Sequence, residues 1–374
     1  MKKIVLVGNT SWSMIKFRKG LIKKLIDLNY LVTIIAPYDK FKNDIEKLGC
    51  KYLDIDIDNK GSNPLKDIKL ILKLRKIYKK INPDLVIHYT IKPNIYGTIA
   101  SRLVGIKSIA VVTGLGFTFI NNTLTSKIAK YLYKFSFKYP EKIIFINNDD
   151  KHEFILNNLV DKNNLINIPG EGIDTEFFKC EKINICITFR FLLIARMLWD
   201  KGVGEYVEAA KIIKRKYPEV EFGLLGYLDV DNPKAISKYQ MEKWINDDYI
   251  KFYGSTDNVK EYISNVDCIV LPSYREGISM SLMESAAMSK PLIATNVPGC
   301  KELIDDGING YLCKVKNIQD LVNKMEIMLN LSENERNIMG KVGRKKMINE
   351  FDEKIVINKY LEIIKLLEGN KWQT

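Results

Sequence analysis

The sequence predicts an α/β protein built from two doubly wound, Rossmann-like domains in series, facing each other across a cleft. Three observations lead there. Short runs rich in Val and Ile alternate with longer segments of helical period, the pattern of parallel sheets covered by helices. The chain has 374 residues, more than one core usually serves, and 46% of them are hydrophobic, enough for two cores. The alternation lapses once, near 174–184, and then resumes.

The first domain, 1–174, has expected strands at 4–7, 31–36, 51–57, 85–88, 109–112, 142–146 and 165–168. Helices fill the gaps, and the segment 67–80 is the most basic of them. The second domain, 175–351, has expected strands at 190–194, 221–225, 250–253, 268–271 and 292–294. A last amphipathic helix, 352–367, opens a segment 352–374 expected to pack back on the first domain. Ligands of open parallel sheets bind outside the carboxyl ends of the strands, so chemistry is expected in the loops that follow them.

Composition narrows the function. No apolar run reaches the roughly 18 residues of a spanning helix, and 4–7 is too short for a signal segment, which predicts a cytoplasmic protein. The six cysteines show no C-x-x-C spacing and read as reduced and structural, and two histidines cannot make a histidine-rich zinc site. Net charge is +13, and its placement is one-sided: residues 1–175 hold 29 Lys and Arg against 16 Asp and Glu, whereas the remainder is balanced. Such asymmetry points to a polyanion (nucleic acid, an anionic membrane surface or a phosphorylated substrate) or to solvated surface lysines alone.

Two stretches carry chemistry in the second half. Cys268–Leu271 reads as a buried strand, Arg275-Glu276-Gly277 as its exit loop, and the residues from Ser281 as a helix start. Glu276 then lies at the cleft and Glu284 on the first turns of the helix, while the amides of Gly277, Ile278 and Ser279 point toward an anion. Spacing alone favours a solvated loop carboxylate at 276 and a dipole-favoured helix carboxylate at 284, and it does not establish the separation that a glycosidase-type carboxylate pair requires. In Phe191-Leu192-Leu193-Ile194-Ala195-Arg196 through Lys201-Gly202, two cations follow a strand, where they can neutralise charge on a leaving diphosphate.

The segment from Pro272 to Glu284, continued by Lys290 to Ile304, resembles the retaining family-4 glycosyltransferases and their E-x7-E signature. The Arg196–Lys201 loop is similar to that family's donor-diphosphate clamp. The resemblance implies the GT-B fold, with Arg196, Lys201 and Glu276 catalytic, Glu276 facing the donor sugar and Glu284 gripping the ribose. Gly226, Tyr253 and Gly254, after two other strands, match places where similar enzymes approach the nucleotide through backbone; simple turn chemistry is the alternative. Tyr89 to Gly97 and Val112 to Phe119 resemble the subgroup acting on undecaprenyl-diphosphate saccharides. That implies acceptor contacts at Asn9, Lys92, Gly114 and Gly116.

Departures and rivals remain. Many family members place a histidine in the N-terminal domain near the reacting sugar, and 113–116 holds none; His88, one strand earlier, reads equally as structural. The loop Gly8-Asn9-Thr10 lacks a G-x-G-x-x-G pattern, which argues against a dinucleotide enzyme. The Asp-x-Asp pairs at 54–58 and 229–231 read as an exposed strand face and a loop, and neither a metal nor a cofactor is expected. Residues 126–139 mix aromatics with four lysines, which suits either a membrane-facing surface helix or one burying an aromatic stripe.

The resemblance as a whole implies transfer of an N-acetylhexosamine, with retention, from a UDP-sugar to a lipid-diphosphate-linked saccharide. It also implies a peripheral location on the inner face of the membrane and no nucleic-acid partner. The rivals are a UDP-N-acetylglucosamine 2-epimerase and a basic nucleic-acid-binding protein, the latter requiring steep salt dependence and base-stacking aromatics.

Overall fold

A computed structural model of the chain describes residues 1–58, 63–115, 124–179 and 188–369. The chain forms two compact units, one comprising Met1–Gly172 and the returning segment from Glu353, the other Ile173–Asp352.

The first unit holds a parallel sheet of β1 (Lys3–Val7), β2 (Leu31–Ala36), β3 (Lys51–Asp54), β4 (Leu85–Tyr89), β5 (Ser108–Val112), β6 (Lys142–Phe145) and β7 (Leu165–Asn167). Their order is β3-β2-β1-β4-β5-β6-β7. β1 lies between β2 and β4, with Val5 opposite both Thr33 and Val86. Helices cover both faces, so Ile4 to Val7 are all buried, and the strand reads as an unbroken apolar run.

β3 stops at Asp54 instead of running to 57. Its one neighbour, β2, ends at Ala36 opposite Asp54, and the next residue, Pro37, has no N–H to extend the ladder. Ile55 and Ile57 still turn into the core, so the Asp-Ile alternation survives without the strand. Two of the three acidic residues find local uses: Asp54 accepts from the Tyr38 amide at 2.9 Å, and Asp58 pairs with Lys66 at 3.0 Å.

The helix Pro64–Ile81 starts on Asn63, whose side chain accepts from the Leu65 amide, with Pro64 at the position where its missing N–H costs nothing. It ends at Asn82 in the left-handed region. The helix Leu124–Ser136 divides its aromatics. Tyr133 and, just beyond the helix, Phe137 pack on Phe154 with ring centroids 5.0 and 5.7 Å away, while Tyr131 and Phe135 face outward. The segment therefore buries one aromatic stripe in the core and leaves a second exposed.

The helix Glu353–Gly369 lies against the helix Ser11–Asp27. Tyr30 donates to Glu368 at 3.0 Å, and Lys107 to the Leu367 carbonyl at 2.8 Å. Nearby, Arg18 is buried, donating to Glu171 at 2.5 Å and lying 4.0 Å from the centre of the Tyr89 ring.

The second unit holds β8 (Arg190–Ile194), β9 (Glu221–Leu225), β10 (Lys251–Phe252), β11 (Cys268–Leu271), β12 (Leu292–Thr295) and β13 (Gly310–Cys313). All are parallel, in the order β10-β9-β8-β11-β12-β13. β13 is not among the expected strands: Gly-Tyr-Leu-Cys has no β-branched residue and sits at the sheet edge. β10 is two residues long where four were expected. Among the described residues, Cys50, Cys268, Cys300 and Cys313 are buried free thiols; Cys180 and Cys186 lie outside them.

Candidate active site

In the second unit, successive strands run outward from β8 through β9 to β10 on one side and from β11 through β12 to β13 on the other. The strand order therefore reverses between β8 and β11, and a crevice opens at their carboxyl ends. The two loops beside that crevice hold the predicted cations and carboxylates.

The loop after β8 is anchored by the buried side chains of Met197 and Leu198, by the Trp199 amide on the Lys234 carbonyl at 2.9 Å, and by Trp199 edge-on to Trp244. Trp199–Lys201 form one 3₁₀ turn, ended by Gly202 at φ +70°. A Cβ at Gly202 would run into the Pro272 carbonyl, so this position needs glycine on two counts. Arg196 is exposed, and among the described residues nothing pairs with its guanidinium. Lys201 reaches across to Glu276, with Nζ 2.5 Å from Oε1.

The loop after β11 is tied back to the β8 loop. The Asp200 carbonyl accepts from the Tyr274 amide at 2.9 Å and from Ser273 Oγ at 3.2 Å, and the Tyr274 hydroxyl donates to Glu205 at 2.5 Å. The loop after β12 braces it from the far side: the Glu276 amide donates to Pro298 at 3.0 Å and the Ser279 amide to Gly299 at 2.9 Å. Gly299 has φ +80°, and a Cβ there would collide with the backbone of Glu276. Ser279 then caps the helix Met280–Ala287, accepting from the Leu282 amide. Glu284 lies on that helix with only 4% of its surface exposed.

Burial raises the Asp200 carboxyl above its ordinary value, against the pull of Lys234, Lys201 and Lys316. Lys316 also sits 4.7 Å from the centre of the Tyr274 ring. The crevice is thus rimmed by cations from several loops, a setting that favours a polyphosphate.

Gly226 and Gly254 follow β9 and β10, and the Gly226 amide donates to the Gly254 carbonyl at 2.7 Å. A Cβ at Gly226 would strike the Ala195 carbonyl, so its close backbone approach is to the chain itself. Gly254, at φ +67°, has open space beside it, and Tyr253 is partly exposed against Tyr262. One sheet edge therefore gathers Arg196, Lys201, Gly226, Tyr253, Gly254, Glu276, Gly277, Ile278, Ser279 and Glu284. The supports Asp200, Gly202, Tyr274 and Gly299 were not singled out from sequence; the Pro-Gly pair at 298–299 after an apolar run was the one available signal.

The first unit reverses its strand order between β1 and β4. Asn9 follows β1 and Lys92 follows β4. Lys92 is held by Asp67 at 2.6 Å, and Asp67 also accepts from the Tyr96 hydroxyl at 2.7 Å. Gly114 follows β5 at φ +129°, and Gly116 lies outside the described residues. His88 is fully buried, bonded to the Tyr78 hydroxyl at 2.9 Å, and burial pushes its imidazole down to about 3. A Cβ at Gly97 would collide with its ring. His88 is a packed core residue. In the second unit, Asp229 pairs with Lys238 at 2.5 Å.

Residues 188–346 match the family described as glycosyl transferases group 1, and residues 3–147 match glycosyl transferase 4-like. The chain is 29% identical, over 96% of its length and 98% of the relative's, to N,N'-diacetylbacillosaminyl-diphospho-undecaprenol alpha-1,3-N-acetylgalactosaminyltransferase of Campylobacter jejuni. It is 27% identical, over 77% of its length and 76% of the relative's, to UDP-Gal:alpha-D-GlcNAc-diphosphoundecaprenol alpha-1,3-galactosyltransferase of Escherichia coli. The crystal structure of a glycosyltransferase from Rickettsia africae superposes with a TM-score of 0.82 at 21% identity, covering 99% of each chain. With a group 1 glycosyl transferase domain in the second unit, a glycosyl transferase 4-like domain in the first, and a relative similar along nearly its whole length, the chain is a glycosyltransferase of GT-B fold.

Proposed function

We propose that the protein transfers a sugar, an N-acetylhexosamine, from a UDP-sugar to a lipid-diphosphate-linked saccharide with retention of anomeric configuration. The observation that carries this reading is the Lys201–Glu276 pair, set beside an exposed Arg196 at the crevice between β8 and β11. A donor diphosphate entering there meets two cations and competes with Glu276 for Lys201. As the bond from the anomeric carbon to the diphosphate oxygen breaks, charge develops on that oxygen. Arg196, Lys201 and the amides leading into the helix at Ser279 stabilise it.

The acceptor hydroxyl attacks the face that the diphosphate vacates, and the departing phosphate oxygen takes its proton, so no protein nucleophile is needed. Glu276 orients the sugar, and Glu284 holds the ribose hydroxyls through charge-assisted hydrogen bonds. Gly226, Tyr253 and Gly254 lie along the nucleotide. In the first unit, Asn9, Lys92, Gly114 and Gly116 meet the acceptor, Lys92 through its diphosphate.

The names of the Campylobacter jejuni and Escherichia coli relatives give undecaprenyl-diphosphate saccharides as acceptors, and the latter gives UDP-galactose as donor; both support this reading. They favour transfer over epimerisation. Among the described residues no helix is long and apolar enough to cross a membrane. We take the site of action to be peripheral, on the inner face of the cell membrane, with an anionic bilayer rather than nucleic acid as the partner of the basic half. The test is incubation with a panel of UDP-sugars and lipid-diphosphate saccharides, followed by product linkage analysis. Release of free 2-epimer from donor alone, or a product of inverted configuration, would overturn it.

A further inference from the structure

Asp67 lies in the first turn of the helix Pro64–Ile81 and is buried. Both of its carboxylate oxygens are engaged: Oδ1 accepts from Lys92 Nζ at 2.6 Å and Oδ2 from the Tyr96 hydroxyl at 2.7 Å. The Lys92 side chain is only 14% exposed, so its ammonium is largely out of water, and among the described residues no other carboxylate pairs with it. The Tyr96 ring centre lies 5.9 Å from the same Nζ. Burial and the Asp67 carboxylate together push the Tyr96 phenol up, which keeps its hydroxyl a donor. Removing one partner from a buried ion pair strands the other charge, so Lys92 keeps its place only while Asp67 is there.

The backbone that carries Lys92 is fixed as well. Thr90, directly after β4, has φ +72°, a left-handed conformation that a β-branched residue rarely adopts. Its carbonyl accepts from the Asn94 amide at 2.9 Å, and the Asn94 side chain bonds both ways to the backbone of Val111 in β5, at 2.8 and 3.1 Å. The chain then makes the π-helical turn Pro93–Gly97, which closes on the His88 ring. Strain of this kind persists only where the surroundings over-determine it, and it gathers where a ligand needs a fixed geometry. The segment also leaves β4 beside β1, where the strand order of the first sheet reverses and open parallel sheets bind their ligands.

We infer that Asp67 is a positioning residue for the acceptor: through its bond to Lys92 it holds the ammonium in place for the acceptor's diphosphate. The inference rests on the reading of Lys92 given above and adds a function for the group that holds it. A lysine free in solvent loses side-chain freedom when it meets a ligand, whereas one already held has lost that freedom in folding. Of the three ammonium N–H groups Asp67 takes one, which leaves two for phosphate oxygens. Asp67 also repels an anion, so the sign of its effect separates the two roles. Positioning weakens diphosphate binding when the charge is removed, and repulsion alone strengthens it.

The probe is farnesyl diphosphate, a lipid diphosphate with no sugar to be matched, titrated calorimetrically into the full chain with the nucleotide site saturated by UDP. Lys92→Ala and Asp67→Asn should each weaken its binding about tenfold, and Asp67→Asn added to Lys92→Ala should change it by less than about twofold further. UDP affinity should stay within about twofold in each single variant, because the nucleotide site lies in the second unit. In turnover of a lipid-diphosphate saccharide, the acceptor KM of Asp67→Asn should rise about tenfold while kcat stays within about threefold. Tyr96→Phe removes the second donor to Asp67 without changing any charge and should weaken probe binding about two- to fivefold, which keeps the test valid if Asp67→Asn misfolds. If Lys92→Ala weakens binding while Asp67→Asn, or Tyr96→Phe in its place, leaves it unchanged or tighter, the inference fails and the reading of Lys92 stands. If the loss in Asp67→Asn persists in full without Lys92, Asp67 serves only the fold and the inference fails as well. No binding of the probe by the wild type, or no change in Lys92→Ala, overturns the reading of Lys92 and the inference with it.

Discussion

Lys201 and Glu276, 75 positions apart, meet with Nζ 2.5 Å from Oε1 at the carboxyl ends of adjacent parallel strands. The contact is built by backbone: Gly202 lets the β8 loop pass the Pro272 carbonyl, and Gly299 lets the β12 loop lie on Glu276. Lys201→Ala should therefore lower kcat by about 10²- to 10³-fold, the usual loss when a group that stabilises developing charge is removed. Stability should fall by only about 1 to 3 kcal/mol, because both side chains are partly exposed and a stranded Glu276 can still reach water. Glu276→Ala added to Lys201→Ala should cost less than the sum of the two single effects, as in any directly contacting pair. Steady-state kinetics with urea unfolding checks this; wild-type turnover in Lys201→Ala removes it from the catalytic set.

Arg196 makes the complementary case. Its guanidinium is exposed and pairs with nothing among the described residues, so nothing in the free enzyme holds it for stability. Arg196→Ala should leave the melting temperature within about 1 °C, since an exposed substitution of this kind usually moves stability by less than about 0.5 kcal/mol. Its kcat should nevertheless fall about 10²-fold or more. A variant that loses stability but keeps activity would reverse the assignment.

The parts of this molecule that were legible in sequence are those that local chemistry decides. Buried parallel strands must be apolar on both faces, so β1, β8 and β11 stand out as runs such as Ile4 to Val7 and Cys268 to Leu271. Loop cations and the glutamates at 276 and 284 stand out because residue type and order carry the resemblance. Contacts between loops were not legible, because they depend on which strands become neighbours. Nothing near Asp200 says that its carbonyl will hold Ser273 and Tyr274, and nothing near Lys92 says that Asp67 will hold it. Strand ends are equally non-local: β3 stops at Asp54 because Pro37 ends its neighbour.

Glu284 lies almost wholly out of water on the helix that Ser279 caps. If it accepts from the ribose hydroxyls, Glu284→Ala should weaken UDP binding by about 10- to 100-fold, the range for a lost hydrogen bond to a charged group. Arg196→Ala should shift the same constant less than it shifts kcat, since its interaction strengthens as the bond breaks. Calorimetric titration with UDP separates the two. Unchanged UDP affinity in Glu284→Ala would make this glutamate a core residue only.

Gly299→Ala tests whether the β12 loop positions Glu276. The substitution places a Cβ against the Glu276 backbone at φ +80°, where an L residue is already strained. Stability should drop by about 1 to 3 kcal/mol. Activity should drop further than that loss explains when measured well below the melting temperature, because Glu276 must move. Gly307→Ala, at φ +78° with open space and outside the proposed donor site, should show the strain without the loss of turnover attributable to displacement.

His88 gives the molecule a pH dependence unrelated to catalysis. Burial lowers its imidazole from 6.5 to about 3 in the folded chain, whereas the unfolded chain keeps the ordinary value. Between those values the unfolded state binds a proton that the folded state refuses, so this contribution to stability is complete above about pH 6.5 and drains away as pH falls toward 3. Urea midpoints for the wild type should decline from pH 7 to pH 5, and His88→Gln should flatten the share of that decline due to His88. The glutamine must also hold the Tyr78 hydroxyl, so a lower midpoint at pH 7 is expected alongside the flatter profile. The pH profile of kcat should carry no step from His88 near its unperturbed value, since the imidazole stays neutral there. Such a step, abolished in His88→Gln, would return His88 to the active site.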